Sequence, residues 1–197
     1  MKLGLFGGTF DPIHFGHLNL AIELSEKHSL DEVLFCPVFQ SPFKKKEPIA
    51  APEQRAEMLS LAIEGIPSFR LLDLEIKRKG ISFTIDTLRA LHYPSSQLFL
   101  LLSEDSLLTF HLWKNAPELI HLAQPLIGSR HPFSQKIPKT PLSSALLKGL
   151  TATRGMEISS SDLRVRLASH LYCGHLIPTP VLTYIHEKKL YLTQKAL

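Results

Sequence analysis

The chain has 197 residues, 44% of them hydrophobic, which is enough for one sizeable core that needs neither disulfides nor metal. Its two cysteines, Cys36 and Cys173, fall in a predicted buried strand and a turn; they argue against a disulfide framework and favour a reducing cytoplasm. The longest aliphatic run, 98–102, is far below the roughly 18 residues of a membrane span, so we expect one soluble, cytoplasmic domain over 1–197. The net charge of +4 suits anionic ligands, but the basic runs 44–46 and 77–79 are not interleaved with aromatic residues, which argues against nucleic-acid binding.

Hydrophobic runs alternate with helical patterns along the whole chain, which predicts an α/β fold: a parallel sheet with helices on both faces. The predicted elements are, in order, a strand at 3–6, a helix at 16–28, a strand at 32–38, a helix from 52, a strand at 69–76, a helix at 84–93 capped by Thr84, and strands at 97–103 and 122–128. Pro125 predicts a bulge or a sheet edge in the last of these strands. The prolines of 130–140 predict a mobile surface loop.

The segment 7–17, GGTFDPIHFGH, joins the first strand to the first helix through a glycine turn. The glycines let a ligand approach the backbone closely, and the unpaired N–H groups at such a helix start bind phosphate. His14 and His17 add two donors beside that phosphate site, as a transferring phosphoryl group needs. The alternative is that both histidines are ordinary loop or core residues, and Asp11 with Pro12 is a common turn former.

A second helix start lies at 158–164, ISSSDLR. Ser159, followed three residues later by Asp162, is typical of an ordinary helix cap. The hydroxyls and N–H groups of this segment can also hold phosphate, with Arg164 one turn into the helix. Two helix N-termini that face one pocket would form a triphosphate site.

These two motifs resemble the phosphate signatures of the nucleotidylyltransferase superfamily, and the rest of the chain resembles its nicotinate-nucleotide adenylyltransferases. The further matching segments are QRAEML at 54–59, SFTIDTL at 82–88, LLSEDSLLTF at 101–110 and PVLTYI at 180–185. The resemblance implies a Rossmann-like nucleotidylyltransferase fold and the transfer of AMP from ATP to nicotinate mononucleotide, which yields deamido-NAD and pyrophosphate. It also implies Mg²⁺ carried by the ATP phosphates, with no metal site in the protein itself, and it leaves a homo-oligomer open.

The same resemblance implies three groups of site residues. The catalytic group, which contacts the phosphates, is His14, His17, Lys44 and Arg164. The ATP-binding group is Gly7, Gly8, Thr9, Phe10, Gly16, Asp105, Ile158, Ser159, Ser160 and Ser161, with Asp105 on the ribose hydroxyls. The mononucleotide-binding group is Thr84, Trp113 and Lys114. By resemblance the indole stacks on the pyridine ring, and the alternative is a core aromatic residue. From their own chemistry, we expect the adjacent Lys114 and the N–H of Thr84 at a helix start to bind the nicotinate carboxylate.

The chain departs from the family pattern in two ligand loops. Ser41, Pro42, Phe43 and Lys44 stand where the family usually has PPHK, so a phosphate-binding histidine is missing and we expect Lys44 to fill its role alone. Ser103 replaces a usual glycine, which narrows the space for adenosine.

Several other functions stay open on the sequence. A phosphopantetheine adenylyltransferase would share both phosphate signatures but is usually shorter and lacks the FTxxTL and tryptophan elements. An enzyme for both the acid and the amide mononucleotide is a further alternative. A degenerate relative that binds nucleotide without turnover is disfavoured by the retained His14, His17, Ser160 and Arg164. A tRNA-binding module is disfavoured because the chain lacks a basic stripe and an anticodon domain.

Overall fold

The computed structural model describes residues 1–43, 48–129 and 140–192. The strands in these ranges are β1 (Leu3–Gly8), β2 (Glu32–Pro37), β3 (Phe69–Leu71), β4 (Leu98–Ser103), β5 (Gln124–Ser129) and β6 (Leu150–Ala152). The α-helices are α1 (Phe15–His28), α2 (Pro52–Ile63), α3 (Leu74–Arg78), α4 (Thr84–Leu91), α5 (Glu104–Thr109), α6 (Ala116–Leu122), α7 (Ser143–Lys148), α8 (Ser160–Ala168) and α9 (Thr179–Glu187). All described strand pairs are parallel and follow the order β3-β2-β1-β4-β5-β6, so the predicted α/β fold with a parallel sheet is confirmed.

Helices cover both faces of the sheet. Along β4, Leu98, Leu100 and Leu102 pack into one core with α4, α6 and α7, whereas Phe99 and Leu101 pack into a second core with α1, α2 and α9. Successive side chains of a strand point to opposite faces, so a strand covered on both sides must be apolar throughout. This is why the run 98–102 contains only apolar residues.

The third strand is shorter than predicted. β3 ends at Leu71, and the chain then forms the helical turn α3 instead of continuing to Ile76. Glu75 and Ile76 are adjacent in sequence and both buried, which one turn of helix permits but the alternating faces of an edge strand do not. The prediction of a strand over 69–76 is therefore wrong in its second half.

Two local predictions also need correction. Thr84 is the first residue of α4 and not its cap; Phe83 occupies the cap position without a side-chain hydrogen bond. Pro125 lies in β5, which is an interior strand in regular register with β4, so the expected edge is a local one and not the edge of the sheet. Pairing with β6 begins only at Ile127, so β5 has a neighbour on one side alone at Pro125 and the missing N–H is not needed there. The loop predicted over 130–140 lies, except for Thr140, outside the described residues.

The sheet opens between its two central strands. β1 pairs with β2 as far as Gly8 and Pro37, but its pairing with β4 stops at Leu5 and Leu100. The strand order also reverses here, because β2 lies on one side of β1 and β4 on the other. In open α/β sheets a ligand crevice forms at the carboxyl ends of the strands at such a point. In the described ranges no helix has the length and apolar character needed to cross a bilayer.

Candidate active site

Two neighbouring cavities open where β1 and β4 separate. The first cavity has a volume of about 440 Å³ and lies between the starts of α1, α5 and α8. The second cavity has a volume of about 180 Å³ and lies between the loop after β2, the start of α4 and Trp113. Both cavities are lined by Gly7, Gly8, Leu101 and Leu102. Two ligands bound in them would therefore meet at the end of β1.

The two histidines of the first motif lie together in the first cavity. The rings of His14 and His17 are stacked, with centroids 3.7 Å apart and an angle of 28° between their planes. His14 is only 4% exposed, and this burial lowers its pKa to about 4. A neutral His14 at pH 7 can donate one hydrogen bond to a phosphate oxygen, whereas a charged one would first have to be desolvated at a cost. Gly16 leaves room for this pair, because a Cβ there would lie 3.1 Å from the His14 ring.

The glycine turn owes its shape to a buried ring. Phe10 has a φ of 49°, and its side chain is 2% exposed beneath the turn. A Cβ on Gly8 would lie 2.7 Å from the Phe10 ring, so only glycine fits at that position without a shift. A Cβ on Gly7 would meet its nearest neighbour, the carbonyl oxygen of Cys36, at 4.0 Å. Packing therefore requires glycine at position 8. At position 7 a side chain would meet no close neighbour but would extend toward the cavities that Gly7 lines.

Asp11 lies in a turn, and its buried carboxylate is held by hydrogen bonds from distant parts of the chain. Its carboxylate accepts hydrogen bonds from Ile49 N at 3.0 Å, Ala50 N at 3.1 Å and the hydroxyl of Tyr191 at 2.6 Å. The side chain is almost completely buried, and a buried carboxylate is stable only when it is hydrogen-bonded in this way. Asp11 thus joins the first motif to the start of α2 and to the end of the described chain.

Sequence reasoning missed Arg55, which holds two loops of the site in place. Its guanidinium is fully buried and donates to the carbonyl oxygens of Thr9 at 2.8 Å, Phe39 at 3.1 Å and Ala50 at 3.2 Å. These bonds connect the glycine turn to the loop that follows β2. The signal was present in the sequence, because Arg55 lies three residues before Met58 on the buried face of α2. An arginine on an apolar helix face needs buried partners.

The second helix start is bonded directly to the first motif. Ser159 caps α8, as predicted, because its Oγ accepts from the backbone N–H groups of Ser161 at 3.2 Å and Asp162 at 3.3 Å. Ser160 Oγ donates to the carbonyl oxygen of Pro12 at 3.0 Å. Arg164 donates to the carbonyl oxygen of Asp11 at 2.7 Å, and its side chain is 25% exposed. The two phosphate motifs are therefore joined directly by hydrogen bonds.

The second cavity combines aromatic rings with paired charges. The ammonium of Lys114 lies 3.1 Å from the carboxylate of Asp86 and 4.3 Å from the centre of the Phe83 ring. The buried carboxylate of Glu75 accepts a hydrogen bond from Thr87 at 2.6 Å. Its other oxygen and the Nε1 of Trp113 are both buried and have no hydrogen-bond partner in the part of the chain described. Both atoms lie just beneath the cavity surface, and the Glu75 carboxylate also faces the buried thiol of Cys36.

A second arginine that the sequence did not reveal lies at the rim of the first cavity. Arg154 is 90% exposed at its side chain and is anchored by a 2.8 Å bond from its Nε to Glu23, which is buried. The hydrogen bonds from Lys27 and then from Arg154 lower the pKa of the Glu23 carboxyl. The anchored guanidinium adds positive charge where a phosphate or an adenine ring could reach it.

The structure brings most of the predicted site residues to the two cavities. The first cavity is lined by Gly7, Gly8, Phe10, His14, Gly16, His17, Asp105, Ile158, Ser159 and Ser160. The second cavity is lined by Gly7, Gly8, Thr9, Thr84, Trp113 and Lys114. Ser161 and Arg164 line neither cavity, and Lys44 lies outside the described residues. Across 1–43, 48–129 and 140–192, no three or more His, Cys, Asp or Glu side chains form a group that could hold a metal ion.

Comparison with known proteins defines the class. A family model described as cytidylyltransferase-like matches residues 5–166, so the chain belongs to a nucleotidylyltransferase family. The chain is 34% identical to a probable nicotinate-nucleotide adenylyltransferase of Methylacidiphilum infernorum, over 98% of this chain and 94% of that protein. It is 38% identical to the protein of the same name from Dehalococcoides mccartyi, over 98% of both chains. The chain belongs to the nicotinate-nucleotide adenylyltransferase family.

A solved structure shares the fold over nearly the whole chain. The nicotinic acid mononucleotide adenylyltransferase of Plasmodium falciparum superposes with a TM-score of 0.74 at 19% identity, and the match covers 96% of each chain. A structure from Vibrio parahaemolyticus, described as a putative nicotinate-nucleotide adenylyltransferase, has a TM-score of 0.67 at 18% identity. At this identity the likeness supports the architecture, and the curated relatives support the family.

Proposed function

We propose that the protein transfers AMP from ATP to nicotinate mononucleotide and releases pyrophosphate. The observation that carries this proposal is the pair of cavities that share the wall formed by Gly7 and Gly8. A transfer between two nucleotides needs two adjacent subsites whose ligands meet at one phosphorus atom. Because Gly7 and Gly8 have no side chains, both ligands can approach the backbone closely where the two subsites adjoin.

The first cavity is assigned to ATP. Its volume of about 440 Å³ is in the range of small-molecule sites. At the start of α1, Phe15 N donates to Leu176 O and His17 N to His14 O, so we assign Gly16 N to the phosphate. His14 and His17 are stacked at that start and provide donors for the α-phosphate and its neighbours. Ser160 belongs to the pyrophosphate side, with Arg164 behind it. Asp105 is assigned to the ribose hydroxyls.

The second cavity is assigned to the pyridine end of the mononucleotide. Its volume of about 180 Å³ suits a single ring better than a whole nucleotide. Trp113 provides a stacking face, and the N-terminus of α4 at Thr84 provides N–H groups for the nicotinate carboxylate. The ammonium of Lys114 already has a carboxylate partner in Asp86, so we assign most of the acid recognition to the helix start.

The reaction is a direct in-line displacement. A phosphate oxygen of nicotinate mononucleotide attacks the α-phosphorus of ATP, the bond from that phosphorus to the bridging oxygen breaks, and pyrophosphate leaves with the electron pair. The protein positions the two phosphates and donates hydrogen bonds to the charge that builds on the α-phosphate, for which His17 is the main candidate. No side chain has to become covalently attached to the substrate.

Mg²⁺ accompanies the ATP phosphates in this proposal. The first cavity is lined by the carboxylates of Glu104 and Asp105, which would lie near an ion held mainly by phosphate oxygens and water. When bound, the ion neutralises phosphate charge and orients the triphosphate. We place the reaction in the cytoplasm, and we propose small-molecule substrates without a nucleic-acid partner. A reducing compartment fits the buried Cys36 and Cys173, neither of which is in a disulfide.

A dual specificity for the acid and the amide mononucleotide is the second candidate. It is favoured by the buried, unpartnered oxygen of Glu75 in the second cavity, because a carboxamide N–H could donate to it and a carboxylate could not. The charge of Lys114 is also partly neutralised by Asp86. We nevertheless expect the acid to be preferred by at least about 10- to 100-fold in kcat/KM, the range for hydrogen bonds to a charged group at a helix start.

One assay tests these assignments. Pyrophosphate release and dinucleotide formation are measured with ATP and Mg²⁺ against nicotinate mononucleotide, nicotinamide mononucleotide and phosphopantetheine in parallel, with His17→Ala as the control for a contaminating activity. We expect product from the acid mononucleotide far above the amide, and none from phosphopantetheine. Equal kcat/KM for acid and amide would establish dual specificity. Turnover of phosphopantetheine alone, or of none of the three, would refute the proposal.

A further inference from the structure

Phe43 is an aromatic residue of the second cavity to which the sequence comparison gave no role. Its ring is 52% exposed and lines the cavity opposite Trp113. The two ring centroids are 6.3 Å apart, and the planes are inclined by 34°. A half-exposed phenylalanine is ordinary on a protein surface, but here its ring borders a cavity in which a bound ring would cover it.

The other side of Trp113 is already occupied. Phe110 packs against the indole with centroids 5.2 Å apart and an angle of 32°, and Phe110 is fully buried and does not line the cavity. A ligand ring can therefore reach Trp113 only from the side of the cavity, where Phe43 lies. Any ring that stacks on the indole there lies between Trp113 and Phe43.

The base of the Phe43 loop is attached to the start of α4. Phe39 N donates to Ser82 Oγ at 2.9 Å, and Ser82 N donates to the carbonyl oxygen of Gln40 at 2.9 Å. Closer to the ring, Phe43 N donates to Ser41 Oγ at 3.3 Å. The loop that carries the ring is thus tied to the same segment that begins the carboxylate-binding helix.

We propose that Phe43 and Trp113 form an aromatic clamp for the pyridinium ring of nicotinate mononucleotide. This inference rests on the proposed function, since that substrate provides the ring. The pyridine nitrogen carries the glycosidic bond and is therefore cationic, and a cation is attracted to the face of an aromatic ring. A ring stacked on both sides at about 3.5 Å needs about 7 Å between parallel partners. The Phe43 ring, now 6.3 Å from the indole and inclined by 34°, therefore has to move away by less than one ångström and turn toward the indole plane.

The clamp contributes affinity without choosing between acid and amide. Both mononucleotides carry the same pyridinium ring, and stacking does not contact the substituent that distinguishes them. The selection between them remains with the groups around Thr84, Lys114 and Glu75. Loss of the Phe43 ring should therefore weaken both ligands by the same factor.

The single tryptophan makes the clamp directly measurable. Trp113 is the only tryptophan of the chain, so the intrinsic fluorescence reports on the site itself. Nicotinate mononucleotide is titrated into the full-length wild-type protein, with and without a non-hydrolysable ATP analogue, and the same titration is made with Phe43→Leu and Phe43→Tyr. The matched control is Tyr172→Leu, because Tyr172 is an aromatic residue that is 73% exposed and lines neither cavity.

We expect Phe43→Leu to raise the Kd of nicotinate mononucleotide about 5- to 30-fold, whereas Phe43→Tyr and Tyr172→Leu stay within about threefold of the wild type. The Tm, the KM of ATP and the ratio of acid to amide affinity should not change, because the variant removes one ring face only. An unchanged Kd in Phe43→Leu, or an equal loss in Phe43→Tyr, would overturn the clamp while wild-type turnover leaves the proposed function intact. A wild-type protein that neither binds nor converts the mononucleotide would refute both.

Discussion

His14 should make the stability of the protein fall between pH 6.5 and pH 4. Burial lowers the pKa of His14 from its ordinary value of 6.5 to about 4, so the folded protein keeps this ring neutral where the unfolded chain already binds a proton. The stability that comes from this difference is complete above pH 6.5. It decreases as the pH falls and is lost entirely once the pH has passed below the folded pKa. The variant His14→Gln removes the titrating group and retains a neutral hydrogen-bonding side chain.

The size of the effect follows from the two pKa values. A difference of one pKa unit corresponds to about 1.4 kcal/mol, so the full loss between neutral pH and a pH below 4 is about 3 kcal/mol. At pH 5 most of that loss, about 2 kcal/mol, has already occurred. Small domains unfold with free energies of about 5–15 kcal/mol, so a change of this size is readily measured.

Urea denaturation followed by circular dichroism at pH 7.5 and pH 5 measures the effect. We expect the wild type to lose about 2 kcal/mol more than His14→Gln between these two pH values. His111→Gln is the matched control, because His111 is an exposed histidine that lines neither cavity. If wild type and His14→Gln lost the same free energy between pH 7.5 and pH 5, the burial of a neutral His14 would be refuted.

Three further variants test the site. Gly7→Ala should lower kcat/KM at least about tenfold with little change in Tm. Gly8→Ala should instead lower the free energy of unfolding by about 1–3 kcal/mol, because its Cβ would lie 2.7 Å from the buried Phe10 ring. A stability loss in Gly7→Ala and an activity loss alone in Gly8→Ala would contradict the packing described. His17→Ala should lower kcat by about 10²–10³-fold and change the KM of ATP only a few-fold, and steady-state kinetics near wild type would remove His17 from the mechanism. Arg164→Ala should weaken ATP about tenfold in calorimetry, because its bonds to Asp11 and Ser161 hold the two phosphate motifs together, whereas an unchanged affinity would separate Arg164 from ATP binding.

Local sequence patterns determined the parts of the fold that depend on a few neighbouring residues. The alternation of apolar runs with helical periods predicted the parallel sheet, and the turn at 7–17 predicted a helix start beside a ligand. The cap at Ser159 followed from a single hydroxyl and the helix behind it. These signals are readable because strand alternation, helical period and capping act over at most a few residues.

Only the tertiary structure decided which distant groups are partners. Asp11 and Tyr191 are 180 positions apart and share a hydrogen bond, and no period in the sequence connects them. In the sequence, Arg55 is one residue of a segment that matches the family. Only the fold shows that its guanidinium binds three carbonyl oxygens and so connects two loops of the site. The sequence predicted that Lys114 binds a substrate carboxylate, but in the fold its ammonium lies 3.1 Å from the carboxylate of Asp86. Such pairings are set by how the crossovers pack against the sheet, so they become visible only once the strands are in register.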